Sequence, residues 1–461
     1  MWSSRKKSGT HQKARLHFCV VLFFVVVIFF IYSSENAAQY NDWNIEPLNT
    51  ETSGLEEHTF NQEASSEWPS VIPDYYRDTI LVLLKMDLWN ERDIQDASHV
   101  LMLPMYCAFY AGWEEAIAAY DSFFERFVRT ADSSFQELSR LQQMQFLYLG
   151  SQYMKLCWNM GRPINQALFD IVLENAREDL LGTPTWKTEA TVRDHLMQVL
   201  AHKKYKREWY SCILDNDFYT LACLCDLKVL SIAQGLESTE EMAFAADYAR
   251  MLLMDSEINT ETAEGFWLFQ VGVMKDYKDY AYAGNEYAYE GMSVAIKDDM
   301  VSDTSHFRRM PLWLLSYKDA QDDASGKEIC SRRIEQLGKL FAERVLRKSK
   351  GFWVTSTFID GSNGVFRYNY HDDGNAIEGY DQSGGTLFLG YWIMLGNESI
   401  TAAYQEIANS FPLPADVSNP YYDNGITVRE QNPIMDCDAV WDNGLMETLI
   451  TCICLLSEFV A

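Results

Sequence analysis

Residues 379–396 read GYDQSGGTLFLGYWIMLG, and the fold turns on them. The stretch opens on polar residues and small glycines. It then runs apolar on every side from Thr386 to Leu395 and stops at Gly396. A helix that is apolar all round is buried all round. Its polar entrance, Glu378, Tyr380 and Asp381, then belongs at the mouth of a site. Five further stretches share this character: Ser98–Ala111, Leu141–Trp158, Phe218–Ile232, His306–Tyr317 and Val440–Leu456. Amphipathic segments lie between them. Ile117, Tyr120, Phe124 and Phe127 recur at helical spacing, as do Met242, Ala245, Ala246, Ala249 and Leu252, and Cys330, Ile334, Leu337, Phe341 and Val345. A first helix, Tyr75–Trp89, follows Pro73. The alternation predicts an inner ring of six buried helices within an outer layer of six amphipathic ones.

The connections are asymmetric. From inner to outer helix they are short, around Gly112, Asn159–Pro163, Gln234–Thr239, Lys318–Gly326 and Gly396–Glu398. Such loops suit antiparallel neighbours. From outer to inner they are mostly long: 181–215, 255–303, 347–380 and 410–438. Long loops gathered on one face are usually functional.

Ahead of this lies a different kind of chain. Residues 1–15 carry Arg5, Lys6, Lys7, Lys13 and Arg15 and read as a basic cytoplasmic tail. The apolar run Leu16–Tyr32, broken only by His17, is just long enough to span a bilayer. No clean small-residue cleavage site follows, so residues 16–32 read as an uncleaved anchor with the bulk of the chain outside. Residues 33–70 are polar and acidic, a flexible tether, and residues 71–461 form the main domain. The expected placement is a single-pass membrane protein with its main domain periplasmic or otherwise extracytoplasmic.

The chain has 461 residues, 48% apolar and 14% aromatic, with a formal net charge of −28. That acidity argues against nucleic acid and polyanionic substrates. The one basic run, His202–Arg207, is short and reads as solvated surface. Of ten cysteines, Cys223 and Cys225, like Cys452 and Cys454, lie two apart on apolar helices, where side chains diverge and no disulfide can close. No zinc-type spacing appears, and buried thiols are expected. Walker A, GxGxxG, HExxH and GxSxG are missing, and nothing calls for a cofactor. A sequon, Asn397-Glu398-Ser399, falls in a short turn.

Over residues 71–461 this pattern resembles the (α/α)6 toroid of six-hairpin glycosidases. The stretch LDNDFYTLACLCDLKVLSIAQG, Leu214–Gly235, resembles the paired-aspartate helix start of bacterial α-mannanase-like members. Those carry two adjacent aspartates where this chain has Asp215-Asn216-Asp217. The resemblance implies an all-α toroid acting on glycans.

In such a toroid the inner-helix N-termini and the long loops share one mouth. Carboxylates recur there: Asp215, Asp217, Asp303, Glu378, Asp381 and Asp438, with Asp436 and Asp442 nearby. Glycoside hydrolysis needs two carboxyls, one of them protonated. Each aspartate also has a plain reading as a helix N-cap. His306 and Arg308 sit where the helix dipole disfavours cations, so a carboxylate or ligand should meet them. His99 has a similar position. Aromatics crowd the loops, among them Trp209, Trp267, Tyr277, Tyr280, Trp353, Tyr380 and, near the last helix, Trp441; flat rings suit sugar faces. Residues 351–370 read as a β-hairpin turning at Asp360–Gly364 over the mouth. The next polar turn, 371–375, lacks calcium-loop spacing, and no metal site is expected.

The expected function is a membrane-anchored carbohydrate-active protein, a glycoside hydrolase on a neutral oligo- or polysaccharide. The acidic balance disfavours a lyase on polyuronides. Absence of repeated Gln-Trp motifs disfavours a terpene cyclase. The rival is a non-catalytic glycan-binding or assembly subunit beside a polysaccharide synthesis or export machine.

Overall fold

Helix starts and stops along the chain follow from local residues. Ser139 accepts the Gln142 N–H at 3.3 Å, and the Gln142 side chain returns to the Ser139 N–H at 3.2 Å. Asn165, Thr239, Asp323 and Asn397 cap other helices by the first of these bonds alone, the side chain accepting a backbone N–H. Gly112, Gly161 and Gly235 lie in the left-handed region just after three apolar helices, which ends each helix within one turn. The short connections are therefore built from a glycine stop and a polar start.

The computed structural model describes residues 72–90, 94–131, 133–182, 190–349, 351–368, 376–381, 383–412 and 444–460. The proposed anchor Leu16–Tyr32, the tether, Asp438 and Trp441 lie outside them. Among the described residues no helix is long and apolar enough to cross a membrane. All of them fall within the unit Glu63–Ala461.

The chain is mostly helical, with two small antiparallel hairpins. Apart from the single turn Ser133–Gln136, the helices among the described residues are in order α1 (Asp74–Asp78), α2 (Ile80–Leu83), α3 (Ile94–Tyr110), α4 (Glu114–Thr130), α5 (Arg140–Asn159), α6 (Gln166–Leu181), α7 (Val192–Leu200), α8 (Asp215–Ala233), α9 (Glu240–Met254), α10 (Thr304–Phe307), α11 (Met310–Asp319), α12 (Ala324–Leu340), α13 (Ser383–Phe388), α14 (Glu398–Ala408) and α15 (Leu445–Val460). Strand β1 (Asn259–Glu261) pairs β2 (Trp267–Phe269), and β3 (Leu346–Ser349) pairs β4 (Phe352–Thr355).

The apolar helices pack on one another in a closed order. α3 packs on α5, α5 on α8, α8 on α11, and α11 on the 3-10 turn Tyr391–Leu395. That turn packs on α15, and α15 returns to α3. Almost every residue of α5 and α8 beyond the first turn is buried, as an inner position requires. α4 buries one face only, through Ile117, Tyr120, Phe123, Phe124 and Phe127. α4 packs on α3, α9 on α8 and α14 on α15, so each amphipathic helix covers an apolar one.

Four expectations need correction. The stretch Thr386–Leu395 is two pieces, α13 and a 3-10 turn, because Gly390 is left-handed with φ +72°. A Cβ there would collide with Ile453 of α15, so the backbone passes where no side chain fits. His306–Tyr317 is likewise α10 and α11, broken at Arg308–Arg309. The first helix breaks at Thr79, whose φ of −117° and ψ of −74° interrupt it, and ends at Leu83. The hairpin turns at Gly351, with φ +89°, and not at 360–364. There Gly361, at φ +86°, makes a separate tight loop closed by Phe358 N–H on the Ser362 carbonyl at 3.0 Å.

The cysteines are free thiols among the described residues. Cys223, Cys225 and Cys452 are buried, and Cys454 is half-buried.

Candidate functional site

A cavity of about 770 Å³ opens where α8 and α10 begin. Four stretches build its walls: the end of α6, residues 209–218, residues 269–280, and His306 with Phe307. Ser139–Leu141 at the start of α5, Val192, Ser302, Phe366 and Arg367 add to them, and Trp313 of α11 also lines it. The long connections contribute most of this lining, as the asymmetry of the loops predicts.

Asp215, in the first turn of α8, receives a hydrogen bond from the buried guanidinium of Arg309. Arg309 also donates to His99 Nε2 at 2.9 Å. Burial, then the charges of Arg309 and Arg308, push His99 well below its ordinary value. His99 is thus a neutral spacer beneath the cavity. Arg308 is buried beside it and donates to the Ser305 carbonyl. The expected carboxylate does meet this helix start: Asp303 pairs with His306, and Asp215 pairs with Arg309, the residue after Arg308.

Asp217 reaches back to the Leu214 N–H at 2.9 Å, so it braces the helix start while lining the cavity. Asp179, in the last turn of α6, accepts from Asn216 Nδ2 at 2.8 Å and Thr220 Oγ1 at 2.6 Å. Burial pushes the Asp179 carboxyl up; the Thr220 bond opposes this and the nearby Asp217 charge adds to it. A raised carboxyl in a cavity wall can carry a proton near neutral pH better than an ordinary one.

The third wall centres on His306. Its Nδ1 lies 2.7 Å from Asp303 Oδ2. Asp303 is fully buried and uses every acceptor position. It takes the Ser305 and His306 N–H groups on Oδ1 at 3.1 and 3.0 Å, and the Tyr280 hydroxyl on Oδ2 at 2.9 Å. Burial alone would raise this carboxyl; the charge and hydrogen bond of His306, the Arg367 guanidinium and the backbone bond outweigh it, and the net shift is well downward. His306 Nε2 lies 3.2 Å from Arg367 Nη2. Asp303 therefore positions His306 from behind, and only His306 lines the cavity.

The remaining predicted residues lie elsewhere. Trp267 is buried behind the wall, bonded to Asn259 Oδ1 at 2.7 Å and packed edge-on against Phe269. Glu378, Tyr380 and Asp381 share the cavity's end of the bundle without lining it. Thr357 links the two regions: its carbonyl takes the Thr304 N–H at 2.9 Å, and its hydroxyl donates to the Glu378 carbonyl at 3.3 Å. Glu378 Oε1 accepts the Ala288 N–H at 2.8 Å, and Asp381 Oδ2 the Glu378 N–H at 2.7 Å, so both carboxylates brace loops. Trp353 bonds Glu406 at 2.9 Å beneath Lys348 and is away from the cavity. Trp209 and Tyr277 do line it, with ring centroids 5.1 Å apart.

Sequence reasoning missed Asp179, Asp279 and Arg367. For Asp179 a signal existed: a carboxylate in a helix's last turn opposes the dipole, as His306 does at a helix start. Among the described residues no group of three or more His, Cys, Asp or Glu side chains could hold a metal ion. Against protein-family models, curated proteins and solved structures alike, the chain matches none.

Proposed function

We propose that this chain is an (α/α)6 toroid whose cavity binds and hydrolyses a neutral glycan. The closed packing order of its apolar helices and their amphipathic covers support the toroid. The observation that carries the activity is a pair of carboxyls in unlike environments on one cavity. Asp179 is pushed up by burial, and Asp215 is ion-paired to Arg309. Carboxyls held in opposed environments divide into acid and base, or acid and nucleophile. Asp179 then protonates the leaving oxygen, and Asp215 serves as nucleophile or activates water. Trp209 and Tyr277 offer flat faces to the sugar. The basic start, the run Leu16–Tyr32 and the polar segment after it support a bilayer-anchored, extracytoplasmic placement.

The test is reducing-end release by the detergent-solubilised full chain over a panel of neutral oligo- and polysaccharides. At least one should be cleaved, and Asp179→Asn and Asp215→Asn should each lower turnover by about 10²-fold or more. One observation favours a second reading: Asp217, Asp303, Glu378 and Asp381 all spend oxygens on backbone N–H groups. Saccharide binding without cleavage by any panel member would replace the hydrolase with a non-catalytic glycan-binding subunit.

A further inference from the structure

Among the described residues that line the cavity, His306 is the one histidine, and its two ring nitrogens meet opposite partners. Nδ1 lies 2.7 Å from Asp303 Oδ2. Asp303 also takes the Ser305 and His306 N–H groups and the Tyr280 hydroxyl, so it is a carboxylate and Nδ1 carries the proton between them. Nε2 lies 3.2 Å from Arg367 Nη2. A guanidinium has N–H donors and no acceptor, so the nitrogen facing it holds a lone pair. Donor counting thus fixes one tautomer, Nδ1–H with Nε2 bare. Asp279 steadies Arg367 in turn, taking its Nε–H at 3.1 Å and, on the backbone carbonyl, its N–H at 2.9 Å. Asp303 is fully buried, whereas the His306 side chain is 34% exposed. With Nδ1 turned to the buried carboxylate, the exposed edge of the ring is the opposite one, which carries Nε2.

We propose that His306 is a catalytic base of this cavity, its Nε2 taking the proton of the attacking water while Arg367 holds that water's oxygen. This rests on the hydrolase reading and assigns the step that reading leaves open between two roles of Asp215. A lone pair backed by a carboxylate is built to accept a proton, because Asp303 meets the imidazolium that forms. A proton arriving on Asp215 would instead cost its ion pair with Arg309. Asp215 is therefore the nucleophile and His306 the base. In the first step Asp215 bonds the anomeric carbon, the glycosidic bond breaks, and the Asp179 proton goes to the leaving oxygen. In the second, the water oxygen bonds the anomeric carbon and the water's proton goes to Nε2. The bond to Asp215 breaks, and its electron pair returns to the carboxylate. Cavity water then carries the proton from His306 back to Asp179. Arg367 Nη2, next to Nε2, donates to the water oxygen as its proton leaves.

Two variants of the full chain separate a base from a brace. Asparagine places an amide where Nδ1 stands, so His306→Asn keeps a donor for Asp303 and removes the lone pair at Nε2. Its thermal midpoint should stay close to wild type, and it decides if the second variant, His306→Ala, fails to fold. On the panel glycan that the wild type cleaves fastest, each should lower kcat by about 10²-fold or more. KM should stay level or fall, because the glycosyl-enzyme accumulates. Added imidazole should restore His306→Ala by about 10-fold or more and leave His306→Asn unchanged, since the asparagine fills the place. A residue that only braced the helix start would show no such rescue. Nitrogen NMR of histidine-labelled chain needs no turnover. At the pH of the assay, the ring signals lost in His306→Asn should show a protonated Nδ1 and a bare Nε2. Wild-type kcat in folded His306→Asn, loss without imidazole rescue in folded His306→Ala, or a resting proton on Nε2 overturns this proposal alone. Failure of the wild type to cleave any panel glycan overturns it together with the hydrolase reading.

Discussion

Gly390→Ala tests the geometry at the centre of the fold. The backbone at Gly390 has φ +72°, and a Cβ there would fall inside contact distance of Ile453 and 2.9 Å from Leu103 Cδ1. Two costs add. A left-handed alanine costs about 1–2 kcal/mol in backbone sterics. Forcing a methyl into a packed core costs about 1–3 kcal/mol more, and Ile453, only 1% exposed, has little room to move. The expected loss is about 2–5 kcal/mol, a large part of an ordinary domain's net stability of about 5–15 kcal/mol. Gly112→Ala separates the terms. Gly112 has φ +64° but nothing within 4 Å of its Cβ position, so it carries the backbone cost alone. Urea unfolding followed by tryptophan fluorescence gives both values. Gly390→Ala should exceed Gly112→Ala by about 1–3 kcal/mol. Equal losses would mean that α15 does not press on the turn at Gly390, and the packing of α15 on Tyr391–Leu395 would be wrong.

Asp303 sits well below its ordinary carboxylate range when folded, so its stabilisation is full above about pH 4 and fades as pH falls through the lowered folded value. Asp303→Asn should flatten that acid-side loss and cost about 3–5 kcal/mol at pH 7, read from unfolding at several pH values; an unchanged acid limb would refute the pairing with His306. At the other end of α5, Lys155 bonds buried Asp226 at 3.0 Å and Asp319 at 2.8 Å. Burial raises the Asp226 carboxyl even against Lys155, so Lys155→Met should cost about 3–5 kcal/mol at pH 7 and less as pH falls and Asp226 takes up a proton; a loss that does not shrink on acidification would count against it. Asn397 caps α14 through its side-chain oxygen, so Asn397→Ala should cost about 1 kcal/mol and Asn397→Asp almost nothing in the same assay; equal losses would assign the effect to packing against Gly338.

The alternation of helices was legible because burial leaves no polar face to hide. α5 and α8 are buried round nearly the whole circumference, α4 on one side only, and those differences show in the apolar residues each helix carries. The breaks were not legible. Nothing in FLGYW tells a reader that Gly390 is left-handed, because the cause is Ile453, far along the chain. The hairpin failed for a related reason. Gly351 and Asp360-Gly361 are both good turn sequences, and the choice went to the one whose flanks, Leu346–Ser349 and Phe352–Thr355, could pair. Leu346–Ser349 follows directly on the helical stretch 341–345, so its period gave no strand signal.

The site shows the same division between local and distant causes. Carboxylates at helix starts could be found by position, but whether each one caps, positions or touches a ligand depends on which oxygens are already used. Asp303 uses both oxygens twice over, so it can only hold His306. Asp217 gives one oxygen to the backbone and keeps a place on the cavity wall. Asp215 faces a buried arginine six residues after Asp303 in the chain, and Asp279 is clasped by an arginine from a different loop altogether. Sequence lists the acids; it takes the fold to subtract the donors they already have. What remains after that subtraction is Asp179, whose carboxyl burial pushes up although two side chains donate to it, on the wall of the cavity that Asp215 and Asp217 also line.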